Sequence, residues 1–403
     1  MLLAGGSILD VGTGELVRRD LAISDGKVVE DARRDAERID VSGLTIMFGL
    51  WDVHAHPGGL MYDPPAAGYF ERTSQHSVRA GSNLLEAVTM GITGVRTAAE
   101  ADGIDMAWRD AFARGRWPGP RVMCSGPAIR TTGGHGTAYP REYVNTQPFL
   151  IADGPTEMRK AVRTLAEQGA DWVKILLTGG LYSVHETVDS GQLSDDELDM
   201  AMATARQRGL PVLAHCGNAR LAERFVELGG RSVEHGYALD ERAASTLASK
   251  GAWLVPTIGV THDVEMMKAD RWPQHAMQRA KASSARHAEA VGACLAAGVK
   301  IATGADLNPI GPRLHAELGL LEEIGMARLA VLHAATTGGR ELNGLGAATA
   351  PQPGSAADLI LLEGNPLDDM AHLRQPKGVV VFGRFVVDPR GGRLSAPMPG
   401  PYA

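Results

Sequence analysis

The chain of 403 residues carries a formal net charge of −7 and contains 44% hydrophobic and 22% charged residues, as soluble globular proteins do. Because the charge is negative and no basic run is present, we expect no binding to nucleic acid or to an anionic membrane surface. No run approaches the ~18 apolar residues of a membrane span, no signal peptide is evident, and the three well-separated cysteines favour a cytoplasmic protein without disulfides.

Both ends of the chain are predicted to form short strands. Residues 1–48 contain apolar runs such as LLAGGSILD and GLTIMFGL, and the dipeptide Asp25-Gly26 is typical of a hairpin turn. Residues 352–403 contain the similar runs SAADLILLEG and GVVVFGRFVVD. Residues 1–48 are too few to bury a core alone, and a chain of 403 residues usually folds into more than one domain. We therefore predict one small composite β-sandwich domain, formed by residues 1–48 and 352–403.

The middle of the chain, residues 49–351, alternates apolar runs with amphipathic helical patterns. One helix is predicted over 194–208, opened by a capping box of Ser194 and Glu197, and the longest over 274–297. Eight β–α repeats with nearly continuous apolar strands predict an α/β fold, a closed (β/α)8 TIM barrel. A doubly wound open sheet is the alternative, although no GxGxxG turn follows the first strand. The eight strand runs are FGLWDVHAH, ITGVRTAA, RVMCSGPAI, DWVKILLTGG, LPVLAHC, RSVEHG, AWLVPTIG and VKIATGADL.

Metal-ligand residue types stand at the C-terminal ends of these strands, where such barrels carry their chemistry. His54 and His56 are two positions apart in the first strand, so their side chains are expected to point to the same side. This pair alone is weak evidence, because ~0.4 such pairs arise by chance at this histidine content. The prediction depends on the full set, which is His54, His56, Lys174, His215, His235 and Asp306.

These motifs resemble those of the metal-dependent amidohydrolase superfamily, and the resemblance covers essentially the whole chain. It is carried by GLWDVHAH, DWVKILL, VLAHC, SVEHG, KIATGAD and the tail GSAADLILLEGNPLDD. The finer motifs GGHG, TGG, EHGYALD and VPTIG resemble one branch of that superfamily. This branch contains Xaa-Pro dipeptidases, N-acyl-amino-acid carboxypeptidases and ochratoxin-hydrolysing amidases, and is related to imidazolonepropionase.

The resemblance implies a centre of two divalent metal ions. His54, His56 and Asp306 would hold one ion, and His215 and His235 the second. Histidine and carboxylate ligands suit zinc, with manganese, cobalt or nickel as substitutes. Two ions that share a water lower its pKa, so the implied reaction is attack of a metal-bound hydroxide on an amide carbonyl. Asp306 would take the proton of the water and pass it to the leaving nitrogen.

The resemblance also implies roles for three further side chains. Lys174 would be carboxylated by carbon dioxide and bridge the two ions, which is chemically reasonable because an ammonium has no acceptor whereas a carbamate supplies two anionic oxygens. His135 and Tyr237 would stabilise the oxyanion or bind a substrate carboxylate. Other interpretations stay open, since Lys174 could make a salt bridge, Asp306 could cap a helix, and His135 and Tyr237 could make structural hydrogen bonds.

The expected activity is that of a C–N bond hydrolase, acting on a small molecule such as a dipeptide or an N-acyl amino acid with a free carboxylate. A cyclic amide, amidine or lactone is the alternative substrate, and a non-catalytic binding or assembly module is the alternative of another class. Arg130, Tyr182 and His185 depart from the pattern of the branch, so the loops leave the exact substrate open. The segment Thr131–Asp153 is long enough for a lid or a subunit contact. The resemblance further suggests a homo-oligomer.

Overall fold

Strands from both chain ends share one sheet. The computed structural model describes residues 1–59, 72–137 and 148–393. The strands at the chain ends are β1 Leu2–Ala4, β2 Ser7–Leu9, β3 Leu16–Arg18, β4 Leu21–Ser24, β5 Lys27–Val29, β6 Arg38–Asp40, β7 Thr45–Phe48, β18 Leu359–Leu362, β19 Gly378–Val381, β20 Arg384–Asp388 and β21 Gly392–Arg393. Among them, β7 pairs antiparallel with β18, from Thr45 opposite Leu362 to Phe48 opposite Leu359, and parallel with β2.

These strands form two sheets with the orders β5-β4-β1-β6 and β21-β20-β19-β18-β7-β2-β3. One apolar cluster joins them, with Leu3 and Ile39 from the first sheet and Leu361 and Val380 from the second, all buried. The predicted hairpin between β4 and β5 is present, and both turn residues have the positive φ that a type I′ turn requires, 50° at Asp25 and 75° at Gly26. We propose that residues 1–48 and 352–403 are one small domain and residues 49–351 a second one.

The barrel predicted for the middle of the chain is present. Its strands run parallel, and neighbouring strands pair in chain order. The barrel closes where Val53 N donates to Thr303 O at 2.9 Å and Asp306 N donates to His54 O at 2.8 Å. The strands are β8 Leu50–Ala55, β9 Ile92–Thr97, β10 Arg121–Met123, β11 Ala128–Arg130, β13 Val173–Leu176, β14 Val212–Cys216, β15 Ser232–His235, β16 Trp253–Val255 and β17 Lys300–Ile301, with β12 Phe149–Ile151 beside β11.

The third barrel strand differs from its prediction, because it is interrupted. RVMCSGPAI was expected to be one strand, but β10 pairs with β9, whereas β11 pairs with β13 and with the additional strand β12. Between the two halves, Gly126 has a φ of 60° and is followed by a proline, which ends the regular pairing. Cys124 O accepts from Asp171 N and Trp172 N at 2.8 and 3.1 Å, and so joins the third and fourth strands.

Helices follow most of the barrel strands. The capping box of Ser194 and Glu197 is formed as predicted, and the helix that it caps begins at Asp195. Among the described residues, no helix combines the length and the apolar character needed to cross a membrane. The helices are Thr73–Thr89, Ile104–Ala113, Gly154–Gln168, Asp195–Arg208, Ala219–Glu227, Glu241–Lys250, Gly259–His262, Val264–Ala269, Gln274–Ala296, Ile310–Glu323, Arg328–His333 and Gly339–Leu342, with a π-helical turn at Ala334–Gly338 and a 3-10 turn at Met370–Arg374.

Candidate metal centre

The histidine pair at the end of β8 lies inside the barrel. His54 and His56 are 1% and 4% exposed, and their ring centroids are 5.5 Å apart. His56 Nδ1 lies 3.1 Å from Ala99 O, which can only accept, so this nitrogen donates and Nε2 keeps its lone pair. Asp306, in the segment that follows the last strand, reaches the same point, with Oδ1 2.9 Å from His56 Nε2 and 3.4 Å from His54 Nε2.

A third histidine completes a compact group of possible ligands. One atom each from His54, His235 and Asp306 lies within 4.8 Å of the others, and among the described residues no other three His, Cys, Asp or Glu side chains meet in this way. The Asp306 side chain is 18% exposed, whereas the His54 side chain is 1% exposed. Asp306 therefore lies on the solvent side of the group, where a substrate could reach it.

The backbone at the ends of two strands turns the side chains of His235 and Asp306 towards the group. Glu234 and His235 are adjacent, and strict alternation along β15 would direct one of them out of the barrel. His235 has a φ of 67° and Asp306 a φ of 62°, a left-handed conformation that non-glycine residues rarely adopt. Thr257, with a φ of 49°, lies beside them, and its hydroxyl oxygen is 2.6 Å from His235 Nδ1. Such strain is found where a site needs side chains in fixed positions.

Lys174 and His215 approach from the neighbouring strands. Lys174 is 2% exposed, and its Nζ lies 3.5 Å from His54 Nε2. His215 Nε2 lies 2.9 Å from Gly179 O, so this nitrogen donates and Nδ1 keeps its lone pair. The ring of His215 lies 4.5 Å from that of His235. All six predicted metal ligands are therefore brought together at one end of the barrel.

The protonation states of this group suit a metal. Burial, and then the neighbouring Lys174, lower the pKa of His54 to about 4. Burial also lowers the pKa of His215 and His235 well below the usual range. Burial lowers the pKa of Lys174 to about 8, which raises the fraction of the neutral amine, the form that reacts with carbon dioxide. Neutral imidazoles beside a carboxylate are the donors that zinc prefers, so the residues fit a metal ion.

A buried network next to His54 was not predicted from the sequence. Glu234 Oε2 lies 2.6 Å from His54 Nδ1, and both Glu234 oxygens accept from Arg96 Nη2 at 2.9 and 3.0 Å. Burial raises the pKa of Glu234, but Arg96 and His54 outweigh that effect and hold it at about 2. One feature of the sequence could have indicated this network. Arg96 and Glu234 each lie inside an apolar strand run, ITGVRTAA and RSVEHG, and a buried charge needs a partner.

The side chains of His135 and Tyr237 lie against the group. The His135 ring stacks on that of His215 with centroids 4.2 Å apart, and the Tyr237 ring stacks on that of His235 at 5.1 Å. His135 Nδ1 contacts Glu186 Oε1 at 2.5 Å, a partner that the sequence did not indicate. Because Nδ1 is engaged, His135 can offer only Nε2 to a substrate.

The other residues noted in the sequence serve the surrounding loops. Arg130 stacks on the Phe149 ring at 4.9 Å and contacts Thr137. Tyr182 lies 6.0 Å from the Trp272 ring, edge to face. A further histidine, the fully buried His287, contacts Thr261 Oγ1 at 2.8 Å and the backbone oxygen of His235 at 2.9 Å. Residues 138–147 of the predicted lid lie outside the described residues.

Comparison with known proteins gives a family and a set of relatives. The model of the amidohydrolase family matches residues 45–386. The ochratoxinase of Aspergillus niger is 30% identical over 378 residues, which cover 89% of this chain and 77% of that protein. The crystal structure of the same ochratoxinase has a TM-score of 0.85 at 27% identity and covers 100% of this chain and 99% of its own.

Two solved structures with bound small molecules are also similar. A prolidase complexed with N-methylphosphonate-L-proline has a TM-score of 0.86 at 28% identity, covering 96% of this chain and 99% of its own. A Xaa-Pro dipeptidase with methionine in its active site has a TM-score of 0.84 at 26% identity, covering 95% of this chain and 98% of its own.

Proposed function

Because this chain belongs to the amidohydrolase family and is a hydrolase of C–N bonds, we propose that it uses two divalent metal ions to cleave the amide bond of a dipeptide or an N-acyl amino acid. The substrate would carry a free carboxylate next to the bond that breaks. The observation that supports this most is the convergence of donor atoms from His54, His235 and Asp306 within 4.8 Å of one another. The family membership argues against the non-catalytic binding or assembly module.

The proposed metal sites divide the donors by position. His54, His56 and Asp306 would hold one ion, and His215 and His235 the other. When bound, the two ions would lower the pKa of a water molecule between them and polarise the substrate carbonyl. Zinc is the proposed metal, since imidazole and carboxylate ligands suit it.

Lys174 is proposed to join the two sites as its carbamate. Its Nζ lies 3.5 Å from His54 Nε2, and a buried, partly neutral amine is the reactant that carbon dioxide needs. A carbamate would turn a cation inside the barrel into an anion with two oxygen ligands, which removes the cost of burying an ammonium among imidazoles.

Asp306 is the proposed acid–base residue. Burial raises its pKa, but His54, His56 and Lys174 together lower the pKa below the usual value, so the carboxylate is ionised and can accept a proton. Its partial exposure supports this role, because a proton acceptor for the attacking water has to be reached by solvent. The same carboxylic acid can then protonate the leaving nitrogen.

His135 and Tyr237 are proposed to bind the substrate around the breaking bond. Both rings are stacked on proposed metal ligands, His215 and His235, so both side chains border the proposed metal sites. A donor at this position would stabilise the oxyanion that forms as the carbonyl is attacked, or would bind the free carboxylate.

The relatives support the carboxylate-bearing substrate class. The prolidase ligand N-methylphosphonate-L-proline combines a carboxylate with a tetrahedral phosphorus on nitrogen, and the dipeptidase ligand methionine is an amino acid. A tetrahedral phosphonate has the shape that an amide carbonyl adopts when water adds to it. For this chain we therefore favour an acyclic amide with a neighbouring carboxylate over a ring.

A hydrolysis screen of the zinc-loaded protein tests this proposal. We expect turnover of Xaa-Pro dipeptides or N-acyl amino acids and a strong loss when the carboxylate is converted to an amide. Cyclic amides, amidines and lactones form the comparison set. Turnover confined to rings, or no dependence on the carboxylate, would contradict the proposed substrate class.

Gly180→Ala is expected to lower kcat by about 10- to 100-fold through displacement of His135. A Cβ at Gly180 would lie 2.1 Å from His135 Cε1, so the ring must move away from its stacked position. The metal content should stay unchanged, because no proposed ligand is touched. Gly292→Ala, in a helix where an added Cβ meets nothing within 4 Å, is the matched control and should keep full activity. Equal kcat values for the two variants would remove His135 from the proposal.

The finer expectations of a homo-oligomer and a cytoplasmic location remain part of the proposal. Cys124, Cys216 and Cys294 are buried and unpaired, as in proteins of reducing compartments. Light scattering of the purified protein measures the oligomeric state, and a single monomeric species would contradict the first expectation.

A further inference from the structure

A fully buried ion pair lies beside the proposed metal ligands, and the mechanism above does not use it. Arg96 Nη2 donates to both oxygens of Glu234 at 2.9 and 3.0 Å, and Ser232 Oγ donates to Glu234 Oε1 at 2.6 Å. All three side chains are at 0% exposure. Such a pair adds little net stability, because removing two charges from water offsets most of their attraction. Its presence inside the barrel therefore needs another explanation.

The other contact of Glu234 supplies one, because it leads to His54. Glu234 Oε2 lies 2.6 Å from His54 Nδ1. An ionised carboxylate can only accept, so Nδ1 carries the proton and Nε2 keeps its lone pair. Nε2 is the atom that lies 3.4 Å from Asp306 Oδ1 and 3.5 Å from Lys174 Nζ. Glu234 thus decides which nitrogen of His54 faces the donor group.

We propose that Glu234 is a positioning residue of the metal centre, whose carboxylate fixes the tautomer and the ring orientation of His54. The inference rests on the proposed function, since it requires a metal ion on His54. Partners of this kind orient metal-binding histidines and make them stronger ligands. Glu234 acts through His54 and has no contact with the substrate in this proposal.

Arg96 holds Glu234 in register with the strand that carries His54. Arg96 Nε donates to Val53 O at 2.7 Å, and Arg96 Nη1 donates to Ser232 Oγ at 3.0 Å. The guanidinium also lies over the Trp172 ring, with Cζ 4.5 Å from the ring centroid. One side chain therefore connects β8, β9 and β15. The three guanidinium nitrogens donate to three different groups, and their fixed planar geometry suits this better than a flexible ammonium does.

The test compares metal binding by the full-length wild-type protein and by Glu234→Gln, each stripped of metal. Zinc is added in competition with a chromophoric chelator, and Co²⁺ is added separately to record its visible absorption bands. Because the introduced amide is uncharged, and its N–H donors conflict with those of Arg96, we expect zinc affinity to fall by about 10- to 100-fold. The Co²⁺ bands should shift, since they report the ligand geometry, which a merely structural role would leave unchanged.

Asp358→Asn is the matched control, because it removes another buried carboxylate from an arginine pair. Asp358 is 1% exposed and accepts from Arg121 Nε at 3.0 Å, on a sheet formed by the chain ends. Its loss should lower thermal stability without changing zinc affinity or the Co²⁺ spectrum. If Glu234→Gln does not fold, Glu234→Asp replaces it, since it keeps the charge beside Arg96 and withdraws the carboxylate from His54 by one methylene.

The outcomes separate this inference from the function on which it rests. A wild-type protein that binds no stoichiometric zinc would overturn both. A wild-type protein that binds zinc, together with Glu234 variants of unchanged affinity and unchanged Co²⁺ spectrum, would overturn the positioning role alone. Weaker zinc binding and shifted bands in the Glu234 variants, with neither change in Asp358→Asn, would support it.

Discussion

Asp306→Asn is expected to lower kcat by about 10⁴-fold while the barrel stays folded. An amide cannot accept the proton of the attacking water, and as a neutral group it binds a metal more weakly than a carboxylate does. Asparagine has nearly the same size as aspartate, so it fits the space beside His56, which the wild-type side chain contacts at 2.9 Å. The side chain is partly exposed and the substitution introduces no charge, so the barrel should stay folded. Steady-state kinetics on a substrate identified in the screen, with circular dichroism as the folding check, measure both parts.

Asp171→Asn provides the matched control for this substitution. Asp171 precedes β13 and so lies at the opposite end of that strand from the site, where it contacts Arg109 Nη1 at 3.1 Å. Its Oδ2 accepts from Cys124 N and Arg109 Nη1, and asparagine keeps one oxygen acceptor there. The replacement should leave kcat within about threefold of wild type, because the change lies far from the donor group. Activity of Asp306→Asn close to that of Asp171→Asn would mean that Asp306 is not the acid–base residue.

Lys174→Ala is expected to lower the zinc content from two equivalents to at most one. We expect kcat to fall by about 10³-fold or more, which corresponds to about 4 kcal/mol of lost transition-state stabilisation. Without the lysine no carbamate can form, and the two sites lose the anion proposed to join them. A small carboxylate such as acetate should restore part of the activity, because it can enter the vacated space and supply two oxygens. Plasma mass spectrometry and kinetics with and without acetate give the two readouts.

Lys300→Ala is the control for the lysine substitution. Lys300 begins the last barrel strand, and its side chain is 50% exposed and paired with Glu341. Loss of this surface pair should change neither metal content nor kcat. A Lys174→Ala protein that keeps two zinc ions and full activity would show that the carbamate is not required.

The sequence predicted the barrel and the convergence of the donors because both follow from local rules. Side chains two positions apart share one side of a strand, which brought His54 and His56 together, and parallel strands end at one rim. The capping box at Ser194 was equally readable, since it depends on residues three positions apart.

The features that the sequence did not reveal depend on contacts between distant strands. Glu234 meets Arg96 and His54 only after the barrel has closed. A charge inside an apolar strand run indicates a buried charged group, but it does not identify the partner. Glu186 likewise reaches His135 only in the folded chain, from a different loop. The left-handed backbone of His235 was also unexpected, because tertiary contacts impose it on a residue that does not favour it.

The prediction of one continuous third strand was wrong. The sequence Ser125-Gly126-Pro127 within RVMCSGPAI carries a strong turn signal, whereas the prediction treated the whole run as one strand. The structure shows that the turn signal is the correct one, since β10 and β11 pair with different neighbours.

An anomalous difference map, recorded at the zinc absorption edge from crystals of the zinc-loaded protein, would show whether the six donors bind a pair of metal ions. We predict two peaks about 3.5 to 4 Å apart among the six donors at the rim. The ordinary electron density map from the same crystals should show the added carbamate atoms on the Lys174 amine. An anomalous map without a peak among these side chains, or with zinc bound only on the outer surface, would contradict the proposed metal centre.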